Sequence, residues 1–209
     1  MIPALEALER LREGNRRFVS NVRSQKAVTD EIRRNELVSG QEPHAVILGC
    51  SDSRVPAEIV FDQHLGDLFV IRVAGNIVAP SQVGSVEFAV ERFGTRLVVV
   101  LGHSMCGAVQ ATLEELERSA DSRSPNLRSI VDRIRPSVEI LLEAHPQCDP
   151  DSLLTQAIRA NIRASADHLR HGSQLLEQYI QSDGLLVVGA EYSLETGAVE
   201  FFDGLPPGA

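Results

Sequence analysis

The sequence predicts an α/β fold: a mostly parallel sheet of four strands with an antiparallel edge strand, flanked by helices, with an N-terminal helical arm. Continuous apolar runs at residues 45–50, 68–72, 96–101 and 185–189 suit strands of a sheet covered on both faces. Stretches with helical spacing separate them. Glu195-Thr196-Gly197 then reads as a hairpin turn into residues 198–202, which become the edge strand. The 209 residues are read as one domain, with the arm over 1–40 and the α/β core over 41–205.

In order along the chain, residues 3–19 carry Leu5, Leu8, Leu11 and Phe18 with charges between them, a helical pattern. Its apolar face is compatible with packing on a partner subunit and equally with packing on its own domain. Residues 20–29 read as loop. Thr29-Asp30-Glu31 offers a helix start and Ser39-Gly40 a stop. The first strand, 45–50, leads past Arg54 into a short helix with Pro56 in its first turn. After strand 68–72 the apolar pattern breaks at Ala74-Gly75-Asn76, where glycine suggests a tight backbone approach. A helix over 84–93, strand 96–101 and a helix over about 107–119 follow. Residues 121–125 form the clearest break, and Pro125 opens a helix running to about Ala144. A long helical region, 152–182, is expected to break near His171-Gly172-Ser173. The tail 205–209 is expected to be loosely held.

Net charge is -9, from 20 basic and 29 acidic residues, which argues against nucleic acid or an anionic membrane as partner. The charged start Met1-Ile2-Pro3-Ala4-Leu5-Glu6 lacks the apolar run of a signal peptide. No apolar stretch approaches the ~20 residues of a membrane helix. These features, with three cysteines of which two are needed as reduced thiolates, predict a cytoplasmic protein. Cys148 is read as a spare surface thiol.

Two strand ends carry the chemistry. Ala45-Val46-Ile47-Leu48-Gly49 ends in Cys50-Ser51-Asp52-Ser53-Arg54, and Leu97-Val98-Val99-Val100-Leu101-Gly102 ends in His103-Ser104-Met105-Cys106-Gly107. Parallel strands bring their C-terminal ends to one edge, where open α/β sheets bind ligands. If the chain stays extended beyond Gly49, then Cys50, Asp52 and Arg54 share a face. Two thiolates and an imidazole suit Zn²⁺, and three protein donors leave one corner for water, as in catalytic sites. Cys106 falls at a helix start, where the partial positive charge favours the thiolate. Asp52 has two readings: a fourth ligand that closes the site, or a partner of the Arg54 fork that accepts a hydrogen bond from solvent at the metal. The alternative for Cys50, His103 and Cys106 is three ordinary core residues. Their joint placement at strand ends favours the metal. His168 and His171 are a weaker metal pair, and His64 is a possible proton shuttle.

These paired motifs resemble the signature of the β-class carbonic anhydrases. The resemblance extends through Val55-Pro56-Ala57-Glu58, Phe69-Val70-Ile71-Arg72-Val73-Ala74-Gly75-Asn76 and Ser85-Val86-Glu87-Phe88-Ala89, and covers most of the chain. It implies reversible hydration of CO2 to bicarbonate and a proton. It implies one Zn²⁺ per subunit on Cys50, His103 and Cys106, an Asp52–Arg54 catalytic dyad, and a homodimer or an assembly of dimers. Gln63, contributed across the dimer interface, and Gly107 fall at substrate-contacting positions. Arg72 and Tyr192 match two residues of a non-catalytic bicarbonate site found in some members. The tryptophan that completes that site is replaced by Ile47, and the chain has no Trp. Rival readings are a carbon disulfide or carbonyl sulfide hydrolase on the same fold, and a non-catalytic zinc or bicarbonate-binding protein. The intact Asp52–Arg54 pair argues against the second. Thiol redox chemistry lacks its C-x-x-C spacing.

Overall fold

The computed structural model describes residues 2–22, 31–117, 124–144 and 148–208. Helix α1 (Ala4–Val19) leads, followed by α2 (Glu31–Leu37), β1 (Ala45–Gly49), α3 (Ala57–Val60) and β2 (Leu68–Arg72). A 3-10 turn, Ala74–Asn76, precedes α4 (Pro80–Phe93), β3 (Leu97–His103) and α5 (Gly107–Glu117). The chain continues through α6 (Pro125–Ala144), α7 (Pro150–His171), α8 (Gln174–Ser182), β4 (Leu186–Tyr192) and β5 (Val199–Asp203).

The sheet has the order β2-β1-β3-β4-β5, with β5 alone antiparallel to its neighbour. Every residue of β1 and β3 is buried, so alternation shows not as burial but as a choice of layer. Ala45, Ile47, Leu97, Val99 and Leu101 pack under α1 and α3. Val46, Leu48, Val98 and Val100 pack under α4 to α8. The register aligns Gly49 with Leu101, so Cys50 leaves β1 where β3 is still delivering Gly102 and His103.

Of the two placements open for α1, packing on its own domain obtains. Leu8 and Leu11 are fully buried there, while Leu5 stays exposed. Asn15 pins the helix: its Nδ2 donates to Val60 O (3.1 Å) and Gly197 O (2.9 Å), and its Oδ1 accepts from Val199 N (2.8 Å). The start signal at residues 29–30 and most of the break at 121–125 lie outside the described residues. So do residues 145–147, in the loop before α7.

Among the boundaries that differ from the sequence expectation, three are instructive. Helix α4 begins at Pro80, a turn before 84, because proline at the first helical position loses no hydrogen bond and presets φ. Strand β3 runs on to His103. Strand β4 continues through Gly189, which had read as its end. Ile162 of α7 lies flat on Gly102 and Gly189; a Cβ at either would come within 2.5 or 2.9 Å of its side chain. Both glycines serve close helix–sheet approach rather than turning. The break in 152–182 falls where expected. Ser173 caps α8, its Oγ accepting from Leu176 N (3.2 Å) and donating to Glu87 Oε1 (2.6 Å). Among the described residues no helix is long and apolar enough to cross a membrane.

Candidate metal centre

The carboxyl ends of β1 and β3 meet as their parallel pairing requires. The Sγ of Cys50, a ring nitrogen of His103 and the Sγ of Cys106 all lie within 4.8 Å of one another, and all three residues are buried. It is the one such cluster of three among the described residues. His168 and His171 gather no third donor; His171 instead faces Asp167 at 3.5 Å.

His103 is oriented by the backbone of the next residue: Nδ1 lies 2.9 Å from Ser104 O, which selects the tautomer that donates there. Its Nε2 is buried and has no hydrogen-bond partner. A buried lone pair left unmatched between two sulfurs is the donor set a soft or borderline divalent metal satisfies. The residues therefore fit a metal ion, and the three cysteines are all free thiols.

Cys106 donates to Cys50, which is held far below the ordinary thiol range by that bond, against its burial. Contacts from His103 and the backbone N–H of Gly75 add to the effect. The same bond, reinforced by burial, raises Cys106, although the N–H groups of Val109 and Ala108 at the start of α5 pull it down. The helix start thus acts in the expected direction but is outweighed. Burial depresses His103, yet the neighbouring Cys50 leaves it raised on balance.

The chain does not stay extended beyond Cys50. It turns, with Val55 N bonded to Asp52 O (3.0 Å), and the Asp52–Arg54 pairing comes from this turn rather than from strand alternation. Arg54 grips Asp52 at two points, Nε to Oδ1 (2.9 Å) and Nη2 to Oδ2 (2.8 Å), and its backbone N–H adds a third bond to Oδ1 (2.9 Å). The fork holds the Asp52 carboxyl well below the usual carboxylate range. Asp52 Oδ2 stands 3.8 Å from His103 Nε2, at the edge of the cluster but outside it.

Arg72 ends β2 and braces the same loop: Nε donates to Cys50 O (3.0 Å) and Nη2 to Asp52 O (2.5 Å). Tyr192 is buried in the α1 layer together with Ile47, its ring 6.4 Å from Phe18. Gln63 is buried beside Gly14 of α1, its Nε2 donating to Phe61 O (2.7 Å). His64 lies in the turn between α3 and β2, its backbone N–H bonded to Asp67 Oδ2 (2.8 Å). Gly107 opens α5, and a Cβ there would meet no atom within 4 Å. Cys148 is half-buried against the core, with its sulfur 3.6 Å from Gln156 Nε2, and is less of a surface thiol than expected.

Sequence reasoning missed two contributors. Ser104 ties the β3 end to β4: its N–H donates to Tyr192 O (3.0 Å), and its Oγ accepts from Leu194 N (2.9 Å). Asn161 of α7 donates to Gly75 O (2.8 Å). The signal for Asn161 was an amide among Ile158, Ile162, Ala166 and Leu169 on a helix face whose other buried polar residue is the small Ser165.

Fold and cluster together define an α/β protein with a buried three-donor metal-binding site at the carboxyl edge of its parallel sheet. A family model described as carbonic anhydrase matches residues 45–199. Carbonic anhydrase 2 of Mycobacterium tuberculosis is 38% identical over 193 residues, 91% of this chain and 89% of that protein. The carbonic anhydrase of Mycolicibacterium smegmatis is 38% identical over 194 residues, 93% of this chain and 91% of that one. The crystal structure of the β-carbonic anhydrase CafA of Aspergillus fumigatus superposes with a TM-score of 0.74 at 26% identity, covering 83% of this chain and 82% of that chain. The chain belongs to the β-carbonic anhydrases and is an enzyme of that family, whose general reaction is the hydration of CO2.

Proposed function

We propose that this chain catalyses the reversible, zinc-dependent hydration of CO2 to bicarbonate and a proton, with Cys50, His103 and Cys106 as the ligands. The observation that carries the zinc assignment is the buried cluster itself: a ring nitrogen of His103 and the sulfurs of Cys50 and Cys106 lie within 4.8 Å of one another. Zinc, when bound, supplies Lewis acidity that makes a water nucleophilic at neutral pH. The chain's own residues do the rest. Asp52, kept ionised by Arg54, is acceptor-only, so it fixes where the proton of the attacking water points. Arg54 in turn fixes Asp52, and Arg72 fixes the loop carrying both.

The catalytic dyad is thus Asp52 and Arg54. Freed from Arg54, Asp52 would be the residue able to act as a fourth ligand and close the site. Gln63 and Gly107 complete the substrate pocket, Gln63 reaching the site of a second copy in a homodimer or an assembly of dimers. The protein works in the cytoplasm, where thiolates stay reduced.

Metal analysis of the purified protein together with stopped-flow CO2 hydration tests the reading. About one zinc per chain and rapid hydration are expected. A zinc-loaded protein that leaves CO2 untouched but hydrolyses carbonyl sulfide or carbon disulfide would sink the substrate assignment. Absence of zinc would sink the cofactor.

A further inference from the structure

Gly75 sits in the turn between β2 and α4 and faces the metal cluster. Its N–H donates to Cys50 Sγ at 3.3 Å. The residue adopts φ +68°, and a Cβ there would come within 2.8 Å of Ile134 Cδ1 and 3.1 Å of Ala108 Cβ, so glycine is required. Asn76 follows at φ +43°, a left-handed conformation that a non-glycine residue keeps only when its surroundings enforce it. Two bonds enforce it. Asn76 N donates to Val73 O (3.1 Å), and the buried side chain of Asn161 donates to Gly75 O (2.8 Å). The 75–76 peptide is therefore held on both its N–H and C=O sides, which leaves the Gly75 N–H aimed at the sulfur.

Asn161 lies in the middle of α7, surrounded by core residues, where a buried amide is costly unless it is bonded. We propose that Asn161 is a positioning residue for the metal centre: through the Gly75 carbonyl it holds the Gly75 N–H on the Cys50 thiolate. The inference rests on the metal reading above. A hydrogen bond donated to a metal-bound thiolate withdraws charge from the sulfur and so tunes the metal, as second-layer donors do in other metal sites. Helix α7 thereby acts on a ligand 111 residues earlier in the chain without touching it.

The test uses the full-length protein loaded with Co²⁺ or with ¹¹³Cd²⁺. In the ¹⁵N-labelled, cadmium-loaded wild type, the Gly75 amide proton is expected to show scalar coupling to ¹¹³Cd through the N–H···S bond. Asn161→Asp keeps the shape but replaces the donor with an acceptor facing Gly75 O. It is expected to abolish that coupling, to shift the thiolate-to-cobalt charge-transfer band to lower energy, and to speed metal release to a chelator by about tenfold. Ala166→Gly, in the same helix, loosens the core without touching the turn and is expected to leave the band in place.

Unchanged coupling and band in Asn161→Asp would overturn the inference, as would an equal band shift in Ala166→Gly. If Asn161→Asp does not fold, the wild type decides alone, and absent coupling at Gly75 overturns the inference. Failure of the wild type to take up either ion overturns both this inference and the metal reading. Uptake without coupling overturns this one only.

Discussion

The segment after β1 and the segment after β3 each deliver a sulfur to the same sheet edge, yet they are secured in different ways. His103-Ser104-Met105-Cys106 is secured by the adjoining strand and the helix it opens: Nδ1 of His103 reaches the next carbonyl, Ser104 is stitched to β4, and Cys106 leads straight into α5. Cys50-Ser51-Asp52-Ser53-Arg54 is a turn with exposed serines and an exposed arginine. Its bracing comes from elsewhere, from Arg72 on its two carbonyls and from Gly75 on its sulfur. In the ligand-only segment both donors are buried, Met105 between them is exposed, and Ser104 ties the segment to β4. The segment that also carries the Asp52–Arg54 pair is more exposed, and its braces come from the end of β2 and the turn that follows it.

Breaking either end outright gives the largest effect and should erase the difference. Cys50→Ala and Cys106→Ala are each expected to lose the metal and CO2 hydration together, read by metal analysis and stopped flow; a variant that keeps stoichiometric zinc would remove that ligand from the set. Arg54→Ala acts only on the exposed segment. It frees Asp52, and a loss of ~10²-fold in kcat with zinc retained is expected. Full activity in that variant would dispose of the dyad.

Arg72→Ala removes the loop's brace and is expected to lower kcat/KM by about tenfold, because outer partners typically act at that scale. The segment tied to β4 should respond differently. Ser104→Ala is expected to cost about 1 kcal/mol of stability in chemical denaturation, with kcat nearly intact. A larger effect on kcat than on stability would show that the two segments are not distinguished as described.

The smallest effect concerns pH. Arg54 lowers the folded-state pKa of Asp52 below its unfolded value of about 3.9, so its stabilising contribution is present above that pH and is lost as pH falls through the folded value. The Tm gap between wild type and Asp52→Asn should therefore be open at pH 7 and close in strong acid. A gap that widens on acidification would reverse the sign of the shift.

The layered fold, the Cys50–His103–Cys106 cluster and the Asp52–Arg54 pair were legible in local patterns. Continuous apolar runs mark strands buried on both sides, and residues at the ends of parallel strands must share an edge. Boundaries were less legible where a residue had two uses. Gly189 reads as a stop but is an approach point for Ile162, and Pro80 opens a helix before its apolar spacing begins. The turn at Asp52 also escaped notice, since alternation and a turn predict the same pairing with Arg54.

By itself, then, the sequence determined which atoms would meet at the carboxyl edge, because strand direction and two short motifs suffice for that. Only the tertiary structure decided what holds them there. Arg72 on the Cys50 loop, Asn161 behind Gly75 and Asn15 under α1 are joined to their targets by hydrogen bonds between segments remote in the chain. The partner of a buried polar side chain is chosen by packing, and no local pattern of residues encodes it.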